Sequence, residues 1–170
     1  MLKILHYPDS FLRQKSVSVE VFDEDLAHFL DEMNVTMLAN NGVGLAAVQV
    51  GRAIAALLVN IPDDKGEQSS EHLLEIINPK IIEKSGQILW NEGCLSVPDF
   101  YEDIQRYNTI VLSYQNRKGE KKQLEAEGYL AVAIQHEMDH LEGILFVDRL
   151  PILKRKKFEK LLKKQQRCSA

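Results

Sequence analysis

The segment Tyr129-Leu130-Ala131-Val132-Ala133-Ile134-Gln135-His136-Glu137-Met138-Asp139-His140-Leu141-Glu142-Gly143 organises the reading of this chain. Leu130, Val132, Ala133, Ile134, Met138 and Leu141 fall on nearly every side of a helix that Gly143 closes. An apolar residue on every face, rather than on one stripe, predicts a central buried helix. His136 and His140 stand at i and i+4, so both imidazoles leave one helical face and can bind one metal ion. Glu137 between them can reach a water on that ion as proton acceptor and donor. Ionisable side chains are costly to bury unless paired or liganded, which favours metal binding over a chance pair of histidines.

Outward from this helix the pattern is mixed. Leu26, Phe29, Leu30, Met33 and Met37 recur at helical spacing from a start near Asp23, and Asn40-Asn41-Gly42 suits the end of that helix. Strand-like stretches cover Ala53–Asn60, Ile76–Glu83, Gln87–Trp90, Thr109–Tyr114 and Gln123–Ala126, with Ile144–Val147 as a further short strand. Asp63–Ser70 and Asn116–Gly119 read as turns or loops, and Pro151 precedes a last helix. Strands between helices without regular alternation predict an α+β fold. It would be a single compact domain, with antiparallel or mixed sheets around the central helix and a C-terminal helix.

A length of 170 residues fits one domain, and 45% hydrophobic with 27% charged residues excludes a disordered chain or a disulfide scaffold. No apolar run approaches the ~20 residues that span a bilayer. Two distant cysteines, Cys94 and Cys168, and no signal-peptide-like start predict a reducing cytoplasm. Charge is unevenly placed. Lys154, Arg155, Lys156, Lys157, Lys160, Lys163, Lys164 and Arg167 face Glu159 alone, a net of +7, while residues 1–153 carry −11. Phe158, Leu161 and Leu162 share one face of that basic helix and would dock it onto an acidic body.

The third ligand decides between chemistries. A metzincin needs a histidine six residues after the second, where this chain has Phe146. A downstream glutamate fares no better: Asp148 is too near, and Glu159 stands alone in the basic tail. Upstream, Cys94 follows a glycine in a polar turn, in Glu92-Gly93-Cys94-Leu95-Ser96. Two imidazoles and a thiolate leave a fourth position open for water, the catalytic arrangement. Gly42-Val43-Gly44-Leu45-Ala46-Ala47-Val48-Gln49 partly fits a dinucleotide fingerprint, but a helix precedes it where a strand should. Its glycines suit close backbone approach, and Gln49 offers an amide for an oxyanion. A small metalloprotease or amidase, a non-catalytic metal module and a cysteine hydrolase using Cys94 remain as alternatives on these residues.

Together Gly42–Gln49, Glu92–Ser96 and His136–His140 resemble, complete and in order, the three motifs of the peptide deformylases, in the bacterial form with a C-terminal helix. The start from His6-Tyr7-Pro8 to Leu12-Arg13 is similar to that family as well. The resemblance implies a monomeric α+β enzyme that removes the formyl group from the N-terminal formyl-methionine of new proteins. It implies Fe²⁺, with Ni²⁺, Co²⁺ or Zn²⁺ as substitutes, on Cys94, His136 and His140. Glu137 would move the proton, with the Gln49 amide and the Leu95 N–H stabilising the oxyanion. Backbone groups of Val43, Gly44, Gly93 and Leu95 would align the peptide, and Val132 and Ala133 would wall a methionine pocket. Tyr101 stands where many relatives have an arginine, so an arginine contact to substrate is not expected there. Residues 1–151 would form the catalytic unit, and residues 152–170 a basic helix and tail able to face ribosomal RNA.

Overall fold

The computed structural model describes residues 1–169. Helix α1 (Glu24–Ala39) starts where the Asp23 carboxylate accepts the Leu26 N–H at 3.0 Å, satisfying one of the orphan donors of a first turn. It stops at Asn40, after which Asn41 turns left-handed at φ 56°. Strands β1 (Gly44–Ala46), β2 (Ala56–Val59), β3 (Leu74–Ser85), β6 (Thr109–Gln115) and β7 (Lys121–Glu127) form one antiparallel sheet in the order β1-β2-β3-β6-β7. Strands β4 (Ile88–Cys94) and β5 (Val97–Arg106) form a separate antiparallel hairpin. The remaining helices are α2 (Tyr129–Leu141) and α3 (Ile152–Ser169).

The period of two along β2 explains how the large sheet is covered. Leu57 and Val59 face the core shared with α2, whereas Ala56 and Leu58 face the core built by α1. The sheet's β1–β2 end therefore lies between two helices, and α2 packs against β1, β2 and β7. A third cluster joins Val97 and Ile104 of the hairpin to Leu145, Phe146, Val147 and Leu150 and to Phe158 of α3.

Several expected elements differ. Ile144–Val147 is not a strand: the chain there leads into a 3-10 turn at Phe146–Arg149, in which Asp148 accepts the Leu145 N–H at 2.9 Å. Leu145, Phe146 and Val147 are buried in the third cluster, where they pack against the β4–β5 hairpin without joining a ladder. β1 and β5 were not expected as strands, and β3 runs on to Ser85. The sheets are antiparallel throughout, with one isolated parallel bridge between Val17 and Ile54. On α3 the docking face is narrower than the apolar spacing suggests: Phe158 is 4% exposed and Leu162 half-buried, but Leu161 is 42% exposed. Among the described residues, no helix is long and apolar enough to cross a membrane.

Candidate metal centre and active site

The β4–β5 hairpin and α2 meet at one point. Cys94 ends β4 just before the Leu95–Ser96 turn and pairs with Val97. From α2, the rings of His136 and His140 stand one turn apart with centroids separated by 5.1 Å. One ligand atom from each histidine and the Cys94 Sγ all lie within 4.8 Å of one another, and no other such cluster occurs among the described residues. The Cys94 Sγ is 3.4 Å from His140 Nε2.

A chain of charges fixes His136 from behind. Its Nδ1 is 2.8 Å from Glu92 Oε1. Arg106 grips Glu92 with Nε at 2.7 Å and Nη2 at 2.8 Å, and reaches Asp139 with Nη1 at 2.6 Å. Arg149 closes the chain with two 2.7 Å bonds to Asp139. Burial pushes the Glu92 carboxyl up, but Arg106 and His136 outweigh it and hold the group below the ordinary carboxylate range. An ionised Glu92 only accepts, so Nδ1 of His136 carries the proton and Nε2 is left to face the thiol.

Gln49, in the 3-10 turn Ala47–Val50, is buried beneath the thiol. Its Oε1 accepts the Ala46 N–H at 2.9 Å, and its Nε2 donates to Ser96 Oγ at 3.0 Å and lies 3.6 Å from Cys94 Sγ. Gly44 brings β1 against Glu137: a Cβ there would stand 2.5 Å from Glu137 Oε1, so a larger residue would displace the acid. At Gly93 a Cβ would collide with the Tyr101 ring, which lies against that backbone and is otherwise 66% exposed.

Above the cluster opens a cavity of about 680 Å³. Val43, Gly44, Gly93, Cys94, Leu95, Val132, Ala133, His136 and Glu137 line it, whereas Gln49 and His140 do not. The sequence reading missed part of its wall. Trp90 stacks on Tyr129, with ring centroids 4.7 Å apart and planes at 24°, and Tyr101 stands with them on the lining. Trp90 and Glu92 alternate along β4, and that period of two was the available signal for both. Arg106 pairs with both Asp139 and Glu92, and the role of Glu92 in that pairing has no signal in the motif alone.

The electrostatics suit a cation. Burial, with Glu92 and Asp139 adding, pushes the Glu137 carboxyl up to about 7 against the opposing charges of His136 and Arg106. Its Oε2 is buried without a partner. Burial alone would lower the His136 imidazole, yet hydrogen bonds with Cys94 and Glu92 raise it well above its usual value. Burial and the charges of His136 and Arg106 hold His140 well below its usual value, in the neutral form that ligates metal. A proton on His136 thus supplies positive charge that a divalent ion on two imidazoles and a thiolate would supply instead. The residues present fit such an ion.

What this geometry defines is a class: metal-dependent hydrolases built on a two-histidine helix. The polypeptide deformylase family model matches residues 1–156. The chain is 63% identical to the peptide deformylase of Wolinella succinogenes over 169 residues, 99% of each chain. It is 55% identical to that of Helicobacter pylori strain J99 over 167 residues, 98% of this chain and 96% of the other. Among solved structures, the peptide deformylase of Legionella pneumophila superposes with a TM-score of 0.89 at 37% identity, covering 99% of this chain and 97% of that one. The enzyme from Ehrlichia chaffeensis in complex with actinonin gives 0.88 at 38% identity, covering 98% of each. The chain belongs to the polypeptide deformylase family.

Proposed function

We propose that this chain hydrolyses the formyl group of N-formyl-methionyl peptides, releasing formate and a free N-terminal methionine. Cys94, His136 and His140 would hold one divalent ion, Fe²⁺ with Ni²⁺, Co²⁺ or Zn²⁺ as substitutes, a donor set that suits both iron and zinc. When bound, the metal would lower the pKa of water to roughly 7 and so supply hydroxide at neutral pH.

The chain's own residues do the rest. Glu137, with an unpartnered Oε2 at the cavity floor, accepts the proton of the attacking water and passes it to the leaving nitrogen. The Gln49 N–H directed at Cys94 across a long 3.6 Å contact is the one available to the substrate oxygen, since the other is held by Ser96. With the Leu95 N–H it forms the oxyanion hole, each donor contributing about 3–4 kcal/mol to the transition state. β1 is paired with β2 on one edge only, so its other edge can accept a peptide as an added strand. Backbone groups of Val43, Gly44, Gly93 and Leu95 align that peptide. Val132 and Ala133, with the stacked Trp90 and Tyr129, enclose the methionine side chain, whose sulfur favours aromatic neighbours. Residues 1–151 carry this chemistry, and residues 152–170 present the basic face proposed to meet ribosomal RNA. The enzyme would work as a cytoplasmic monomer.

The observation that carries this reading is the convergence of a thiol, two helix imidazoles and a buried carboxylate with one unpartnered oxygen, of which Cys94, His136 and Glu137 line one cavity. Formate release from formyl-Met peptides tests it, compared with cleavage of unformylated peptides by the same metal-loaded protein. Release of formate alone is expected, with actinonin competing as its complex with a relative suggests; internal cleavage alone would make the chain a protease.

A further inference from the structure

We propose that the loop of residues 61–69 clasps the segment Gly42–Gly44, and that Gln68 is the positioning residue of that clasp. The ladder between β1 and β2 reaches only to Gly44, opposite Val59. Beyond it, the Asn60 N–H donates to Val43 O at 2.8 Å. Gln68 then takes over, its Nε2 donating to Gly42 O at 2.9 Å and to Asn60 O at 2.8 Å. Both hydrogens of one side-chain amide are thereby spent on carbonyls from two separate segments. Asn60 is itself buried and donates Nδ2 to Ser69 O at 3.0 Å, tying the loop's far end to the end of β2. A local turn shapes the approach: Asp63 Oδ1 accepts the N–H groups of Lys65 and Glu67 at 2.8 and 2.9 Å.

Gly42, Val43 and Gly44 line the cavity. The clasp holds them from the side of Asn60 and Gln68, leaving the opposite edge for a peptide. This inference rests on the proposed deformylase reading, in which the peptide adds to that edge. A segment already ordered binds without bearing its ordering entropy. Freeing about one residue of backbone weakens substrate binding by about tenfold. The reacting groups on α2 and at the hairpin turn are untouched, so the loss should appear in KM and not in kcat.

Two variants of the metal-loaded full chain test this. Gln68→Ala removes both donors, while Gln68→Glu keeps the shape but points acceptors at two carbonyls. KM for a formyl-Met tripeptide should rise about tenfold in Gln68→Ala and further in Gln68→Glu, at unchanged kcat and metal content. Amide hydrogen exchange of residues 42–45, measured without substrate, should quicken in both. Unchanged exchange in both variants overturns the clasp, and so does an unchanged KM in an active enzyme. If the wild-type protein releases no formate while exchange still quickens, the clasp stands and the deformylase reading fails.

Discussion

Glu92 lies two residues before Cys94, with one carboxylate oxygen on His136 and both on Arg106. Glu92 and Arg106 are each 5% exposed, so neither charge is tolerable without the other. Replacing Arg106 by leucine should cost about 3–5 kcal/mol in chemical denaturation, because it strands a buried carboxylate. Glu92→Gln should also cost stability, though less than the loss of Arg106 because Asp139 still pairs that guanidinium, and should weaken metal binding by about 10–100-fold in a chelator competition, because His136 loses the anion that orients it. Glu137→Gln should retain the metal yet lose about two or more orders of magnitude in kcat, as the loss of a general acid–base group does. At this scale the sequence disclosed what is local. The meeting of His136 and His140 was legible because helical spacing alone puts them on one face. Glu92 and Arg106 come from the two strands of an antiparallel hairpin at positions its register does not pair, so neither spacing nor residue type reveals their contact.

At the scale of elements, α3 is less of an appendage than its charge suggests. The Phe158 ring packs 4.7 Å from Phe100 and 5.4 Å from Tyr7, and Phe146, beside Phe100, lies 5.9 Å from the His136 ring. Phe158→Ala should therefore destabilise the fold by about 3–5 kcal/mol, measured by thermal or denaturant unfolding. Truncation after Pro151 removes this anchor along with the lysines, so it would mix packing with docking. Changing the exposed Lys156, Lys160, Lys163 and Lys164 to glutamine separates them. Stability and formate release should hold while ribosome co-sedimentation falls, most clearly at low salt. Equal co-sedimentation would leave α3 a structural role only. The missed strands have a physical reason. β1 has only three residues, and β5 buries only Val97, Ile104 and Arg106, with Val97 and Ile104 seven positions apart, so no period of two marks it. Ile144–Val147 misled in the opposite sense: Leu145, Phe146 and Val147 are apolar and buried, but they pack against the hairpin instead of pairing as a strand.

Across the whole molecule, Asp148 ties distant parts of the chain. It pairs with Arg13 near the N-terminus and with Arg155 of α3, and caps its own turn at Leu145. Burial pushes its carboxyl up, but Arg13, the Leu145 N–H and Arg155 prevail and hold it below the ordinary range. A depressed folded-state value adds stability in full above the unfolded value of about 4, and that stability is lost as pH falls below it. Asp148→Asn should therefore lower the melting temperature at neutral pH, with the gap to wild type closing on acidification from about pH 4. A gap independent of pH would trace the loss to packing. The α+β class and the buried helix were legible across the chain, whereas the order of strands depended on long-range pairing. Everything at the centre turns on Cys94, His136 and His140 holding one ion on which formate release depends. The most direct measurement is elemental analysis of anaerobically purified wild-type and Cys94→Ser protein, with formate release from a formyl-Met peptide assayed on the same samples. One metal per chain and turnover in the wild type, both lost in Cys94→Ser, is the predicted result; full metal and normal turnover in Cys94→Ser would contradict it.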